Sequence, residues 1–339
     1  MSLSKPTPTW AGLPTPFKRE LLEKLDYKSR CRLARCSTAE RDLVYGCPVL
    51  LRFASITPPS NEEKATLHFN GYIPIQFFML KTKQIVLETY DRERAIADFF
   101  LVFRHNKSEV ESVSLGDAWP MNASFVEKMM IEARKYGDNF KAKMQGLSWF
   151  CDQSEEEFKK FLDIVDANVL KVIVIKSGTM GNWNMEPIFN TDHWRNAKEI
   201  CLDGPAHISL LQFSHLNMFE VTVLEFNADE VSSIIQNYLR SDKPLESCFK
   251  IRFQYCAPSI EDTYEIIKFP ILSQRNDNCN NYWTTQYHLG MRNREHVLIV
   301  KVHYPTLILP GGVFKMQVTG VVCRRMHIEE DSQLKFTWR

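Results

Sequence analysis

Short runs with apolar residues at alternating positions recur along the middle of this chain. The runs are Val113–Leu115, Leu147–Trp149, Val172–Val174, Ile200–Leu202, Val221–Val223 and Ile251–Phe253. Successive runs begin about 21 to 34 residues apart, in or near the range of about 20 to 29 residues that leucine-rich repeats use. Alternation at every second position is the pattern of a β-strand with one buried face. A strand of this kind roughly every 28 residues leaves room for one helix in each gap.

Helical patterns do occupy several of these gaps. Ser154 with Glu157, and Asn227 with Glu230, are capping boxes or close variants that open amphipathic helices. A further helical pattern follows Asp91. Because strand and helix alternate, the sequence predicts parallel strands joined by right-handed crossovers. The fold class is therefore α/β, and the short period favours a leucine-rich-repeat-like solenoid, with a compact α/β layer as the alternative.

The N-terminal stretch Trp10–Val44 shows a different pattern, three short helices with almost no spacer. Thr15 is placed to cap the first helix, with Pro16 at its first position, and Asp26 is placed to cap the second. Ser37 with Glu40 is a capping box for the third. A unit of about 40 residues is near the lower size limit for independent folding. We therefore expect it to bury part of its apolar surface against something else.

This three-helix stretch resembles the F-box, the motif that docks on the Skp adaptor of SCF ubiquitin ligases. The matching residues are Leu13, Pro14, Leu21, Leu22, Leu25, Arg30, Leu33, Cys36, Ser37, Arg41 and Val44. The resemblance implies that the apolar face of the helices binds a Skp-related adaptor. The expected adaptor-binding residues are Leu13, Pro14, Phe17, Leu21, Leu22, Leu25, Leu33 and Val44. An ordinary N-terminal helical hairpin of a larger domain is the alternative interpretation.

A second resemblance lies further along the chain, to the FTH domain that follows the F-box in one large nematode family. The blocks that carry it are Phe161–Ile175, Thr191–Leu202, Phe213–Leu216, Tyr238–Ser241 and Phe249–Ile251. Trp194, Ala197 and Lys198 match the family's Trp-Lys-x-Ala-Lys block, in which Arg195 replaces the first lysine. The two resemblances divide the chain into a disordered N-terminus, an F-box, a connecting region and an FTH, leucine-rich-repeat-like domain, at residues 1–9, 10–50, 51–90 and 91–339.

Together the resemblances imply a substrate-recognition subunit of an SCF-type E3 ubiquitin ligase, attached through the adaptor to a cullin-RING ligase. The alternative is a non-degradative scaffold that holds another regulator, for example in translational control. Along Phe249–Tyr255 apolar and polar residues alternate, so the polar residues should share one face of a strand. That face, with Lys250, Arg252 and Gln254, is the expected contact for an unidentified substrate protein, and a simply solvated face is the alternative. Trp194 is expected to fill the core, and His215 to be a hydrogen-bonded core or turn residue.

Charge, cysteine content and the motifs of the sequence argue against several other functional classes of protein. The formal net charge of +1 gives no field that would favour nucleic acid or a membrane. Nine scattered cysteines suit free thiols in a reducing compartment, so a cytoplasmic or nuclear location is expected. We find no signal peptide, no membrane-spanning run, no nucleotide-binding or hydrolase motif and no zinc spacing. The sequence therefore predicts a non-catalytic protein without metal or cofactor.

The C-terminal part shows two further strand patterns, at residues 297–302 and 313–318. The asparagine-rich stretch at residues 273–282 is expected to be a surface loop, because asparagine is depleted in strands. The two strand patterns are predicted to cover the last open edge of the sheet.

Overall fold

The computed structural model forms two units, Met1–Leu170 and Lys171–Arg339, each with mixed α/β structure. The residues described are 9–57, 65–71, 85–89, 92–116, 123–150, 155–176, 184–254, 266–279, 282–305 and 316–325.

The helices of the first unit follow the sequence patterns closely. They are α1 (Thr15–Lys24), α2 (Tyr27–Ala34), α3 (Thr38–Tyr45), α4 (Arg92–Leu101), α5 (Ala123–Arg134) and α6 (Glu155–Leu162). Asp26 caps α2 by accepting a hydrogen bond from the Ser29 amide at 2.7 Å, as predicted. The predicted cap of α1 is wrong by one position. Pro14 occupies the cap and Thr15 is already helical, so proline takes the second helical position, where a missing N–H is also harmless.

The first unit contains a five-stranded sheet. Its strands are β1 (Leu50–Thr57), β2 (Ala65–Gly71), β3 (Ile85–Thr89), β4 (Glu109–Leu115) and β5 (Met144–Phe150). The order is β5-β4-β1-β2-β3, with β1, β4 and β5 parallel and with β2 and β3 added antiparallel. The stretch predicted as a connecting region thus supplies three strands to the same sheet as the repeat strands. The strand expected at Ile85–Leu87 is confirmed.

Helices α4 and α6 bury their apolar faces in the core of this unit. Phe99 and Phe100 of α4 are fully buried, and their rings meet edge to face at 5.3 Å between centroids. Trp149 of β5 packs against Phe158 and Phe161 of α6, at centroid distances of 5.4 and 5.3 Å. Spacing of three and four residues puts the rings of each helix on one side, as the sequence pattern predicted. Ser154, the expected cap of α6, lies outside the described residues.

The second unit begins with four parallel strands and ends with four antiparallel ones. Its elements are β6 (Val172–Lys176), α7 (Glu186–Phe189), α8 (Asp192–Asn196), β7 (Glu199–Ala206), β8 (Met218–Val223), α9 (Ala228–Arg240), β9 (Cys248–Phe253), β10 (Ile271–Cys279), β11 (Tyr282–Gly290), β12 (His296–Pro305) and β13 (Met316–Arg324). The order is β6-β7-β8-β9-β13-β12-β11-β10. All six predicted runs lie in strands, and β6 to β9 pair in parallel. The curved solenoid stays a prediction.

One prediction for the C-terminal part is wrong, and another lies partly outside the described residues. The asparagine-rich stretch is not a loop, because residues 271–279 form β10, which pairs antiparallel with β11 from Ile271 to Cys279. Its described side chains, Ile271–Asn276, are exposed, so backbone pairing with β11 holds this strand rather than side-chain burial. The strand expected at residues 313–318 is described only from Met316 onward, and it continues to Arg324.

A row of aromatic rings fills the core of the second unit. Trp194 touches Phe189 and Phe213, at centroid distances of 4.7 and 5.5 Å, and is 1% exposed. The row continues through Phe219 to Phe249, with centroids 5.1 and 5.9 Å apart. The prediction that Trp194 fills the core is therefore confirmed. The Nε2–H group of His215 donates a hydrogen bond at 2.9 Å to the Trp194 carbonyl oxygen, which confirms its predicted hydrogen-bonded role.

Candidate functional site

Helices α1, α2 and α3 share a small apolar core. Its buried members are Leu22, Ala34, Val44 and Cys47, and the partly buried side chains packed against them are Trp10, Leu33, Leu43 and Tyr45. The capping box at the start of α3 is present, since the Ser37 hydroxyl accepts a hydrogen bond from the Glu40 amide at 3.1 Å. Four fully buried side chains are few for three helices, in line with the limited core of a unit this size.

Polar contacts fix the ends of this helical unit. The Trp10 indole N–H donates to the Glu40 carboxylate at 3.2 Å, which attaches the first turn of the chain to α3. The Arg30 guanidinium donates to the Leu25 carbonyl group at 3.2 Å and to the Pro48 carbonyl group at 2.7 Å. Burial of Arg30 lowers the pKa of its guanidinium, but its two carbonyl acceptors compensate part of the lost hydration.

Two large apolar side chains, on α1 and at its C-terminal end, face solvent. Phe17 is 48% exposed and Leu25 is 37% exposed, which is high for large apolar residues. Of the other residues predicted to bind an adaptor, Pro14 is exposed, and Leu13, Leu21 and Leu33 are partly exposed. Six of the eight predicted side chains therefore present some apolar surface, and the contacts that a partner would make there remain a prediction.

Two of the predicted contact residues lie inside the helical unit instead. Leu22 is 0% exposed and Val44 is 1% exposed, because both pack in the core shared by the three helices. A partner at the surface of α1 cannot reach them without opening that core. They hold the helices together, and only the other six of the eight predicted residues have exposed surface that an adaptor could contact, which stays a prediction.

The second predicted surface carries Lys250, Arg252 and Gln254 on β9. The strand alternates as predicted, with Phe249, Ile251 and Phe253 buried and the polar residues partly exposed. The charges on this face are paired, since Glu220 of β8 contacts Lys250 at 3.1 Å and also forms an ion pair with Arg252. Whether this face binds a substrate protein stays a prediction. Because Lys250 and Arg252 both pair with Glu220, the face presents less unpaired positive charge than the sequence alone suggested.

Sequence reasoning missed Glu220, which holds this polar face together. Its side chain is only 8% exposed, and register pairing places it opposite Cys201 on one side and Lys250 on the other. The signal was present in the sequence, because Glu220 is the only charged residue in the otherwise uncharged strand Met218–Val223. A buried carboxylate in such a strand requires a cationic partner. The Lys-x-Arg pattern of β9 could have identified that partner.

The described residues contain no group of three or more His, Cys, Asp or Glu side chains that could hold a metal ion. No helix within the described ranges has the length and apolar character needed to cross a membrane. Cysteines with described side chains are free thiols, and burial raises the pKa of Cys201 to about 12, so this thiol stays protonated.

Comparison with solved structures gives only weak likenesses. ORF14 from Sulfolobus islandicus filamentous virus shares 13% sequence identity, over 30% of this chain and 88% of the viral chain, with a TM-score of 0.21. An S-adenosylmethionine-dependent methyltransferase from Clostridium acetobutylicum ATCC 824 shares 10% identity, over 65% of this chain and 62% of the enzyme, with a TM-score of 0.13. Neither score supports an argument about fold or function.

Comparison of sequences is more informative. No curated protein matches the chain. A family model described as "FTH domain" matches residues 130–268. That range contains the aromatic row, the Trp194 block and the ion-paired face of β8 and β9, and it leaves the three N-terminal helices outside. Residues 130–268 of this chain are thus similar to the FTH domain family.

Proposed function

We propose that this chain is the substrate-recognition subunit of an SCF-type E3 ubiquitin ligase, with residues 10–50 as its F-box. The observation that carries the proposal is the order of two features along the chain. A three-helix unit that exposes Phe17 and Leu25 precedes a region that matches the FTH domain. In the family that the sequence resembles, an FTH domain follows an F-box in this order.

The adaptor-binding surface in this proposal is the exposed apolar side of the helical unit. Its residues are Leu13, Pro14, Phe17, Leu21, Leu25 and Leu33. A Skp-related adaptor that covers them removes apolar surface from water, at about 25 cal/mol per Å². A contact of standard size, about 800 Å² on each partner, needs most of one face of a three-helix unit.

The remaining roles follow from this assignment. The FTH region holds an unidentified substrate protein, with the face of Lys250, Arg252 and Gln254 as the first surface to test. The chain itself carries out no chemistry, and the cullin-RING ligase transfers ubiquitin to the tethered substrate. Tethering raises the effective concentration of the substrate near the charged conjugating enzyme. The proposed location is the cytoplasm, the nucleus or both.

The test is capture of a Skp-related adaptor by the purified full chain. We expect the double substitution Phe17→Glu, Leu25→Glu to abolish capture, because two carboxylates would be buried in an apolar contact. Both side chains are exposed in the free protein, so its circular dichroism and thermal unfolding should change little. The matched control is Ile131→Glu, Leu211→Glu, which charges two apolar residues that are 51% and 50% exposed and lie outside the helical unit.

Two results would contradict the proposal. One is unchanged capture by the Phe17→Glu, Leu25→Glu variant, and the other is no capture by the folded wild-type chain. If capture behaves as expected, the cellular level of co-purifying proteins shows whether a bound client is degraded or only held. A client that accumulates when this chain is removed is degraded through it, whereas a client that disappears is held and protected.

A further inference from the structure

A cleft of about 400 Å³ lies where α2, α3 and α4 meet. Three arginines line it, one from each helix or its end: Arg35, Arg41 and Arg94. Among the described residues that line it, Asp98 is the one acidic side chain, and it comes from the same helix as Arg94. No sequence pattern marks this group, because its members are separated by up to about 60 residues along the chain.

Of the three cleft arginines, Arg94 alone forms an ion pair within the described residues, and that pair is long. The Arg94 guanidinium lies 4.0 Å from the Asp98 carboxylate, which is beyond hydrogen-bond distance. The side chains of Arg35 and Arg41 form no hydrogen bond or ion pair with any described residue. Burial raises the pKa of Asp98, and the positive charges of the three arginines oppose that rise. All three guanidinium groups are therefore close enough to influence the Asp98 carboxylate.

Two neutral tyrosines line the cleft beside this charge, and the side chain of one of them, Tyr27, is hydrogen-bonded to Cys31. Tyr27 is 6% exposed, and burial raises its pKa well above the ordinary value. Tyr45 is partly exposed, and burial raises its pKa to about 12. Both phenols therefore keep their protons at neutral pH. Within the described part of the chain, the Tyr45 hydroxyl group has no hydrogen-bond partner, so it is available to a ligand.

From this geometry we infer that the cleft binds a phosphate monoester. Three arginines and one aspartate leave the cleft with a net charge of +2, which equals in size the charge of a phosphate monoester above its second pKa of about 6. Guanidinium groups bind phosphate oxygens through paired hydrogen bonds. A single carboxylate cannot form such paired hydrogen bonds with three arginines at once. The volume is at the low end of the range for small-ligand pockets and fits one phosphate with its carrier group.

This inference is independent of the proposed function. None of the eight residues predicted to bind an adaptor lines the cleft. A phosphate monoester of this kind is carried either by a small molecule or by a phosphorylated side chain of a partner protein. The two sources share the chemistry that the cleft recognises, and they differ in what surrounds the phosphate.

Isothermal titration of the full chain with phenyl phosphate tests the inference without any adaptor present. We expect saturable binding at one site. The double substitution Arg35→Gln, Arg41→Gln should weaken it roughly tenfold or more, because each arginine supplies charge-assisted hydrogen bonds. The matched control, Arg19→Gln, Arg32→Gln, removes two exposed arginines of α1 and α2 that lie outside the cleft lining and should leave the affinity unchanged.

Asp98→Asn separates a binding role from a structural one. This substitution removes the negative charge of Asp98 from the cleft lining, so it should strengthen phenyl phosphate binding severalfold. If the arginines of the cleft served only to stabilise the Asp98 carboxylate, Asp98→Asn would not strengthen phenyl phosphate binding. Circular dichroism of each variant checks that the chain is folded.

The source of the phosphate is read from the same titration with peptides. Tighter binding of a phosphotyrosine or phosphoserine peptide than of phenyl phosphate indicates a phosphorylated partner protein. Equal or weaker binding of the peptide indicates a small phosphorylated molecule. The inference is overturned if folded protein shows no saturable binding of phenyl phosphate, or if Arg35→Gln, Arg41→Gln leaves the affinity unchanged. Binding of single-stranded RNA without binding of phenyl phosphate also overturns it.

Discussion

The three N-terminal helices and the FTH region, residues 130–268, differ in the exposure of an aromatic side chain and in the pairing of charged side chains. In α1 to α3 a large aromatic side chain, Phe17, remains 48% exposed, and two arginines at the cleft have no partner among the described residues. In the FTH region Trp194 is 1% exposed, and Glu220 pairs with both Lys250 and Arg252. The second region buries the Trp194 ring and pairs the Glu220 carboxylate, whereas the first exposes the Phe17 ring and leaves two arginines without an ion pair among the described residues.

This difference indicates which part of the chain presents surface for binding other molecules. Exposed apolar surface in a small unit costs free energy until it is covered, and an uncompensated cationic cleft attracts anions. The N-terminal helices therefore carry the surface proposed for the adaptor and two of the three arginines of the cleft. A substrate protein that bound the face of Lys250 and Arg252 would have to compete with the ion pairs that these residues form with Glu220.

Truncation of one aromatic ring in each region tests the first half of this comparison. We expect Trp194→Ala to lower the free energy of unfolding by about 3 to 5 kcal/mol, because it opens a cavity among packed rings and removes an indole N–H that donates to the Gln212 carbonyl group. Phe17→Ala should cost less than about 1 kcal/mol, since half of that ring is already in water. Urea unfolding measures both changes. Similar losses would show that the two rings are equally important to folding.

The charges of the FTH region give a smaller but still clear effect. We expect Glu220→Gln to destabilise by about 2 to 3 kcal/mol, because Lys250 and Arg252 would lose their buried anion. The loss is below that of a fully buried pair, since the two cations are 21% and 28% exposed and can recover some hydration.

Asp229→Asn is the matched control for Glu220→Gln. It removes an ion pair with Lys268 at 3.2 Å in which the aspartate side chain is 86% exposed, and such pairs contribute about 0 to 1 kcal/mol. Equal losses in the two variants, measured by urea unfolding, would mean that the face around Glu220 is as open to water as the surface.

Local signals in the sequence predicted most of the regular structure. The caps at Asp26, Ser37 and Asn227 and the six alternating runs all appear where expected, because each depends on residues within one turn or one strand. Predictions that depended on distant partners did worse. Strand β10 has a polar sequence and forms because β11 pairs with it.

In the candidate sites, too, features that depend on residues far apart in the sequence could not be predicted. Exposure on α1 followed from the helical period, but the burial of Leu22 and Val44 depends on how three helices cross. The cleft joins arginines from three helices, and its α4 members are separated from α3 by three strands and about 50 residues, so no spacing along the chain identifies it. Glu220 could have been paired with Lys250 and Arg252 only by knowing that β8 and β9 are neighbours.

The pH dependence of stability tests how well the polar face that β9 shares with β13 and β12 is shielded from water. His303 lies on β12, and its Nδ1 is 2.9 Å from the Thr284 hydroxyl oxygen. Burial lowers the pKa of His303 to about 4, and the nearby positive charges of Lys301 and Lys250 act in the same direction. Because the ordinary value is about 6.5, the folded state binds fewer protons than the unfolded state between these two values. Stability should therefore be unaffected above about pH 6.5 and fall as the pH is lowered toward 4.

We expect this loss to be about 1 to 2 kcal/mol, and His303→Asn, which keeps a polar side chain but cannot titrate, should remove that part of the pH dependence. Urea unfolding of both proteins at pH 7, 5.5 and 4.5 measures it. A His303 pKa near 6.5, seen by NMR titration of the ring protons, would show that water reaches this face freely. The face of Lys250 and Arg252 would then be an open surface like that of α1, and the contrast between the two regions would rest on their aromatic rings alone.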